Sequence, residues 1–145
     1  MSTRTRSLLA SIAAIVTVAC LTGIALAATP VQVGSGPYTI TPKTYWTSIQ
    51  VTCPAGDTPC TGVLSLETAY SIKPYSTRPK AKARVADVSY SVPAGTTKAI
   101  KARVYGPALA QAIKTHSVTL RMTAWESGVT APVGKQIAVF KLAHP

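Results

Sequence analysis

The sequence has few of the residues from which active sites are usually built. Its 145 residues include four acids, two histidines and three cysteines, against 15 lysines and arginines. Asp57 and Asp87 are explained by turns, Glu67 by an outward strand position and Glu126 by the end of a strand. No Gly-x-Ser-x-Gly elbow, His-Glu-x-x-His motif or second cysteine pair for zinc is present. We therefore expect neither catalysis nor a bound metal or cofactor.

One long uncharged apolar run occurs, and it lies at the N-terminus. It extends from Leu8 to Ala28 and follows the basic residues Arg4 and Arg6, as in a secretory signal peptide. The run ends in Ala25-Leu26-Ala27, whose small first and third residues suit signal peptidase. We expect cleavage after Ala27, which would remove residues 1–27 and leave a secreted mature chain, 28–145, without a transmembrane helix.

Two alternatives for this run stay open. At about 1.5 Å per residue, its length would just span a bilayer of about 30 Å, so it could be retained as an anchor. Thr17-Val18-Ala19-Cys20 is also a loose lipobox, in which Cys20 would become the lipidated first residue of a surface lipoprotein. Otherwise Cys20 leaves with the signal peptide.

Cleavage after Ala27 would leave a strongly basic chain of one domain. Removing Arg4 and Arg6 changes the formal charge from +11 to +9, and 145 minus 27 residues leaves 118. That length suffices to bury a core. Cys53 and Cys60 remain, and two cysteines in an exported chain indicate one disulfide.

Alternation of apolar and polar residues predicts β-strands for most of the mature chain. The clearest run is 98–104, where Ile100, Ala102 and Val104 share one face while Lys101 and Arg103 point away. The same period of two recurs at 88–92, 118–124 and 136–142, and a short strand is expected at 38–41. One helical crossing is expected near 107–114, where Pro107 suits the first turn and Leu109 and Ile113 lie on one side.

The cysteines fall at the ends of two further apolar rows. Ile49, Val51 and Cys53 form one row, and the second begins at Cys60 and continues to Leu66 beyond a loop rich in Pro and Gly. This spacing predicts a hairpin whose disulfide closes a cross-strand pair. Together the patterns predict an all-β, antiparallel sandwich of about seven strands, with its core at 38–142.

The order of these segments resembles a known family. Residues 49–54, 60–66 and 88–98, followed by the helical crossing before Val118, are similar to the immunoglobulin-like repeat domains of secreted Gram-positive bacterial proteins. The resemblance covers roughly 49–142. It implies an immunoglobulin-like or fibronectin-like form of this sandwich and an extracellular binding or spacing role, and it names no ligand.

A basic stretch, residues 73–84, is inserted into this pattern and is flanked by Tyr70 and Tyr90. It contains five cations and no acid. Neighbouring cations raise the local potential, and a Tyr ring offers a stacking surface. Outside the cytoplasm, anionic cell-wall polymers or lipid headgroups are more available partners than nucleic acid. Alternatively, the stretch is a solvated loop kept extended by its prolines. The candidate polyanion-binding residues are Lys73, Tyr75, Arg78, Lys80, Lys82 and Arg84.

The two tryptophans have different expected positions. Trp46 precedes the Cys53 strand and is expected in the core over the disulfide. Trp125 shares the parity of Arg121 and is expected to face outwards, either covering a sheet edge or contacting a sugar or another protein.

Two functions remain. The first is a secreted, non-enzymatic, immunoglobulin-like binding or structural module. The second is a cationic envelope-associated protein that holds an anionic cell-wall polymer or membrane surface through residues 73–84, with retention that falls as salt rises.

Overall fold

The protein folds as a two-sheet β-structure with one helix. The computed structural model describes residues 30–73 and 79–144, so Cys20, the predicted signal peptide 1–27, Tyr75 and Arg78 lie outside the described residues. The elements within them are β1 (Gln32–Val33), β2 (Tyr38–Ile40), β3 (Trp46–Thr52), β4 (Cys60–Thr68), β5 (Arg84–Val92), β6 (Thr97–Arg103), α1 (Gly106–Thr115), β7 (Ser117–Glu126) and β8 (Pro132–Leu142).

The strands form two sheets that curl into a half-barrel. The small sheet has the order β1-β3-β6, and the large sheet has the order β2-β8-β7-β4-β5. The expected all-β class is confirmed, with eight strands among the described residues where about seven were expected. The expected antiparallel pairing has one exception, because β2 pairs with β8 in parallel. This exception arises where the chain passes from the small sheet to the large one between Val33 and Tyr38.

The core lies between the sheets and is built from the predicted alternating rows. Ile100, Ala102 and Val104 are buried while Lys101 and Arg103 are exposed, which confirms the pattern at 98–104. The strands β7 and β8 behave in the same way. Their buried residues are Val118, Leu120, Met122, Ala124, Ala138 and Phe140. Burying these rows supplies the main driving force for folding.

The disulfide is confirmed, but the predicted hairpin around it is wrong. Cys53 and Cys60 are bonded, with their Cα atoms 5.7 Å apart. However, β3 pairs with β1 and β6, whereas β4 pairs with β5 and β7. The segment between the cysteines therefore crosses from the small sheet to the large one, and the disulfide joins the two sheets.

The helical crossing is confirmed as α1, and its fully buried residues are alanines. Ala108 and Ala112 are fully buried, whereas Ile113 is 51% exposed and Leu109 is partly buried. Small side chains allow the helix to lie close to the strands it packs against, which are β5, β7 and β8. The helix ends at His116, whose φ of 57° lies in the left-handed region. No helix in the described part of the chain is long and apolar enough to cross a membrane.

Candidate polyanion-binding cleft

The predicted basic stretch begins as an extension of the β4–β5 hairpin rather than as a free loop. The Thr68 amide donates to the Ala83 carbonyl (2.9 Å), and the Ala83 amide donates to Thr68 Oγ1 (2.8 Å). Further out, Ile72 and Ala81 exchange two main-chain hydrogen bonds of 2.9 and 3.0 Å. These bonds hold the two arms of the extension together at the buried Thr68 and again at Ile72.

The lysines of this extension are exposed. Lys73 lies just beyond the Ile72–Ala81 bridge on one arm, and Lys80 and Lys82 lie on the returning arm. The extension therefore holds three of the candidate cations on a paired scaffold. Tyr75 and Arg78 fall outside the described residues.

Arg84 and Tyr90 do not belong to this cationic group. Arg84 is the first residue of β5 and forms an ion pair with Asp87, which lies in the same strand rather than in the predicted loop. Tyr90 is 4% exposed, and its hydroxyl donates to the Trp125 carbonyl (3.3 Å). Tyr70, in contrast, is 69% exposed and is the aromatic residue beside the lysines.

The helix α1 supplies the second wall of a cleft beside the extension. Gln111, Lys114 and Thr115 face it from the last turns of the helix, and the start of β7 forms its floor. Its volume is about 610 Å³. We call this space the lysine cleft. Its lining residues are Tyr70, Ser71, Ile72, Lys73, Lys80, Gln111, Lys114, Thr115, Ser117, Val118 and Thr119.

The lysine cleft combines like charges from distant parts of the sequence. Lys73, Lys80 and Lys114 all line it, and no acidic side chain among the described residues does so. Cations of one sign around a concave surface focus the potential and raise the local concentration of anions. The hydroxyl and amide groups between them can donate hydrogen bonds to phosphate or carboxylate oxygens. The cleft can therefore bind an anionic polymer through charge and hydrogen bonds.

The last turn of the helix is fixed by polar contacts. Thr115 Oγ1 lies 2.9 Å from the Gln111 carbonyl oxygen and 2.8 Å from that of Ser117. The Leu142 amide donates to the His116 carbonyl (3.0 Å) and ties the turn to β8. These bonds hold the helical wall, and Lys114 with it, against the large sheet.

The outward position expected for Trp125 is confirmed, since it is 38% exposed. It shares a groove of about 1010 Å³ on the outer face of the large sheet with Arg121. However, the Arg121 Nη1 atom donates to Glu67 Oε1 (3.1 Å). Arg84, which also lines this groove, is paired with Asp87, so two of the groove's three cations are neutralised by acids and Lys135 is the third. The groove is consequently a weaker anion site than the lysine cleft.

The prediction for Trp46 is wrong. Its side chain is 44% exposed and lies on the outer face of the small sheet. The buried face of the same strand is formed instead by the alternate residues Thr47, Ile49 and Val51. Successive side chains in a strand point to opposite faces, so Trp46, three positions before the buried Ile49, points away from the core.

The titratable residues are scattered. Residues 30–73 and 79–144 contain no group of three or more His, Cys, Asp or Glu side chains able to hold a metal ion. The His116 and His144 rings lie 5.5 Å apart at the C-terminal end of the helix.

No family model, curated protein or solved structure matches this chain.

Proposed function

We propose that this chain is an exported, non-enzymatic, immunoglobulin-like binding module that holds an anionic polymer of the cell envelope in the lysine cleft. The observation that carries the proposal is the convergence of Lys73, Lys80 and Lys114 on one cleft whose lining has no acid.

The strand order supports an immunoglobulin-like fold. In that fold one sheet contains strands A, B and E, and the other contains G, F, C and, in variable-type domains, C′. The small sheet here has the order β1-β3-β6, and the large one contains β8-β7-β4-β5, which is similar to this arrangement except that no described strand takes the place of strand D. The strand β2 then corresponds to the second half of a divided first strand. The disulfide differs from that of antibody domains, which joins strands B and F. Here it joins the end of β3 to the start of β4, which correspond to strands B and C.

Two features support an extracellular location. The Leu8 to Ala28 run has the organisation of a signal peptide, and the Cys53–Cys60 disulfide fits an extracellular protein. In that compartment, cell-wall polymers that carry repeating phosphate or carboxylate groups are abundant polyanions. A flexible chain also fits a cleft between a hairpin and a helix better than a flat bilayer does. We therefore favour a wall polymer over a lipid surface.

The test compares two variants of equal charge. Lys73, Lys80 and Lys114 are replaced by Gln in the cleft variant, and Lys43, Lys98 and Lys135 are replaced by Gln in the control, since these three are exposed outside the cleft. Both variants are titrated with poly(glycerol phosphate) at several salt concentrations. We expect the cleft variant to bind the polymer at least about tenfold more weakly than the parent does. The slope of log affinity against log salt concentration should become shallower by about one for each lost lysine contact, as for other linear polyanions.

The control variant should retain affinity within about threefold of the parent. Equal losses in the two variants would show that net charge alone drives binding and would reject the cleft. Stronger binding to phosphatidylglycerol vesicles than to the polymer would reject the wall polymer.

Export is tested separately. The full-length chain is expressed in a Gram-positive host, and the mature N-terminus is determined by mass spectrometry before and after a high-salt wash of the cells. We expect a chain beginning at Ala28 that high salt releases. A lipidated Cys20 or an uncleaved N-terminus would contradict the proposed processing.

A further inference from the structure

A second surface with a different chemistry lies on the small sheet, where the edge of β3 is uncovered. At one end of β3, the Gly34 amide donates to the Gln50 carbonyl (2.9 Å). At the other end, the Thr41 amide donates to the Trp46 carbonyl (2.8 Å). Between these two bonds the chain leaves β3, because β2 pairs with β8 in the large sheet. The result is a gap beside Ser48.

The gap exposes main-chain hydrogen-bonding groups. Along an antiparallel strand, the amide and carbonyl of alternate residues point to the same edge. Since the Trp46 and Gln50 carbonyls point towards the N-terminal segment, the amide and carbonyl of Ser48 point there as well. Neither β1 nor β2 pairs with β3 at Ser48. One donor and one acceptor therefore face the gap.

The side chains around the gap form a groove of about 910 Å³. Trp46, Ser48 and Gln50 alternate with the buried residues of β3 and so lie on its outer side. The opposite wall comes from the segment 37–41. The groove is lined by Pro37, Tyr38, Thr39, Thr41, Trp46, Thr47, Ser48, Gln50 and Lys101.

The charge of this face is positive. Trp46 is directly opposite Arg103 in the β3–β6 pairing, and Ser48 is directly opposite Lys101. Both cations are exposed, and no acid lines the groove. An aromatic ring, a primary amide and two cations thus share one outer surface.

We propose that this groove binds an acidic saccharide, independently of the lysine cleft. The apolar face of a sugar ring stacks on an exposed indole, and its hydroxyls need both donors and acceptors, which Gln50 and the Ser48 main chain provide. A carboxylate on the sugar is neutralised by Lys101 and Arg103. Simple polyphosphate would need only the cations. A peptide adding to the sheet would need a longer uncovered edge than the gap leaves.

The experiment uses Trp46 as its own reporter. In a Trp125→Phe background, Trp46 is the remaining tryptophan of the two in the sequence. This protein is titrated with a short oligogalacturonate, with its carboxyl-reduced neutral counterpart, and with polyphosphate. We expect a saturable change in Trp46 fluorescence with the oligogalacturonate, and an affinity about tenfold lower for the neutral counterpart.

Two variants locate the site. Lys101→Gln/Arg103→Gln should weaken the Trp46 response about tenfold, whereas Lys135→Gln, on the large sheet, should leave it unchanged. Trp46→Ala is examined by calorimetry in the Lys73→Gln/Lys80→Gln/Lys114→Gln background, so that the lysine cleft does not contribute heat. Its affinity should fall about tenfold or more, and thermal unfolding should show that the variant remains folded at the temperature of the titration, because the indole is partly exposed and lies outside the core.

The proposal is overturned by an unchanged affinity in Trp46→Ala, by the absence of a saturable fluorescence change, or by an equal response to polyphosphate. Loss of the lysine cleft alone should leave the Trp46 response intact. Failure of the saccharide site and failure of the wall-polymer site are therefore distinguishable.

Discussion

Cys53 follows the last residue of β3 in the small sheet, Cys60 is the first residue of β4 in the large sheet, and their disulfide joins the two sheets. The bonded residues are seven positions apart. The Cys53 amide also donates to the Thr96 carbonyl (2.9 Å), so the disulfide lies where β3, β4 and the β5–β6 turn meet.

Removing this disulfide should destabilise the fold substantially. For a closed loop of this length, the chain-entropy model gives a contribution of about 2–3 kcal/mol to the free energy of unfolding. We expect that loss in Cys53→Ala/Cys60→Ala, measured by urea denaturation. The parent protein in excess reductant should show a similar loss. A double variant as stable as the oxidised parent would contradict the prediction.

Gly62 is required by the close approach of β7 to β4. A Cβ atom at this position would overlap the carbonyl oxygen of Trp125 and crowd the Tyr90 hydroxyl. Because the obstacle is main chain, Gly62→Ala should lower the free energy of unfolding by about 1–3 kcal/mol.

Gly56 is the matched control, because a Cβ there would meet no atom within 4 Å. Gly56→Ala should leave stability unchanged or raise it by up to about 1 kcal/mol. Equal effects of the two substitutions in thermal unfolding would show that β4 and β7 can separate without cost.

Asp87 should make stability depend weakly on pH. Its hydrogen bond with Arg84 lowers the pKa of the Asp87 carboxyl below the ordinary value of 3.8, partial burial opposes this, and the Ser65 hydroxyl (2.7 Å) lowers it further. A group with a lowered folded-state pKa stabilises the protein above its unfolded-state pKa, and this contribution is lost as the pH falls through the folded value.

Asp87→Asn should therefore be less stable than the parent at pH 7, by less than about 1 kcal/mol because the pair is exposed. The difference should disappear in unfolding curves recorded well below pH 3.8. A difference that persists at low pH would indicate that the carboxylate charge is not its cause.

Local patterns in the sequence determine most of the strands and the core. Rows such as Ile100, Ala102 and Val104 alternate with cations, and no helix would separate them in this way. Pro107 indicates the start of the helix for an equally local reason. These features depend on near neighbours, which the sequence displays directly.

The partner of each strand depends on distant contacts, and this is where the sequence misleads. The short segment between Cys53 and Cys60 suits a hairpin or a crossing equally well, since both bring the cysteines together. The choice is made by β6 and β7, which pair with β3 and β4 respectively. Those interactions have no local signature.

The second wall of the lysine cleft was missed for a similar reason. Lys114 lies in the last turn of α1, where a cation is already explained by the helix dipole. Nothing near it in the sequence indicates that the helix packs beside the β4–β5 extension. A cleft built from separate elements is visible only after those elements have been placed.

Two buried threonines test how that extension is held. Thr68 is 1% exposed, and its Oγ1 accepts a hydrogen bond from the Ala83 amide (2.8 Å). Thr47 is 3% exposed, and its Oγ1 has no hydrogen-bond partner among the described residues. Valine has nearly the shape of threonine without the hydroxyl, so each substitution measures the contribution of that hydroxyl to the free energy of unfolding.

Thr68→Val should lower the free energy of unfolding by about 1–3 kcal/mol, because the Ala83 amide would be left without its acceptor. Thr47→Val should instead raise it by about 1 kcal/mol, since burying an unpaired hydroxyl is unfavourable. Hydrogen exchange at Ala81 and Ala83 should accelerate in Thr68→Val alone, because that bond lies at the base of the extension that carries Lys73 and Lys80. If both variants change stability in the same direction, the two hydroxyls are not in the different environments seen here. If exchange in the extension is unaffected, Thr68 does not hold the first wall of the lysine cleft, and its position depends on the Ile72–Ala81 bridge and the helix instead.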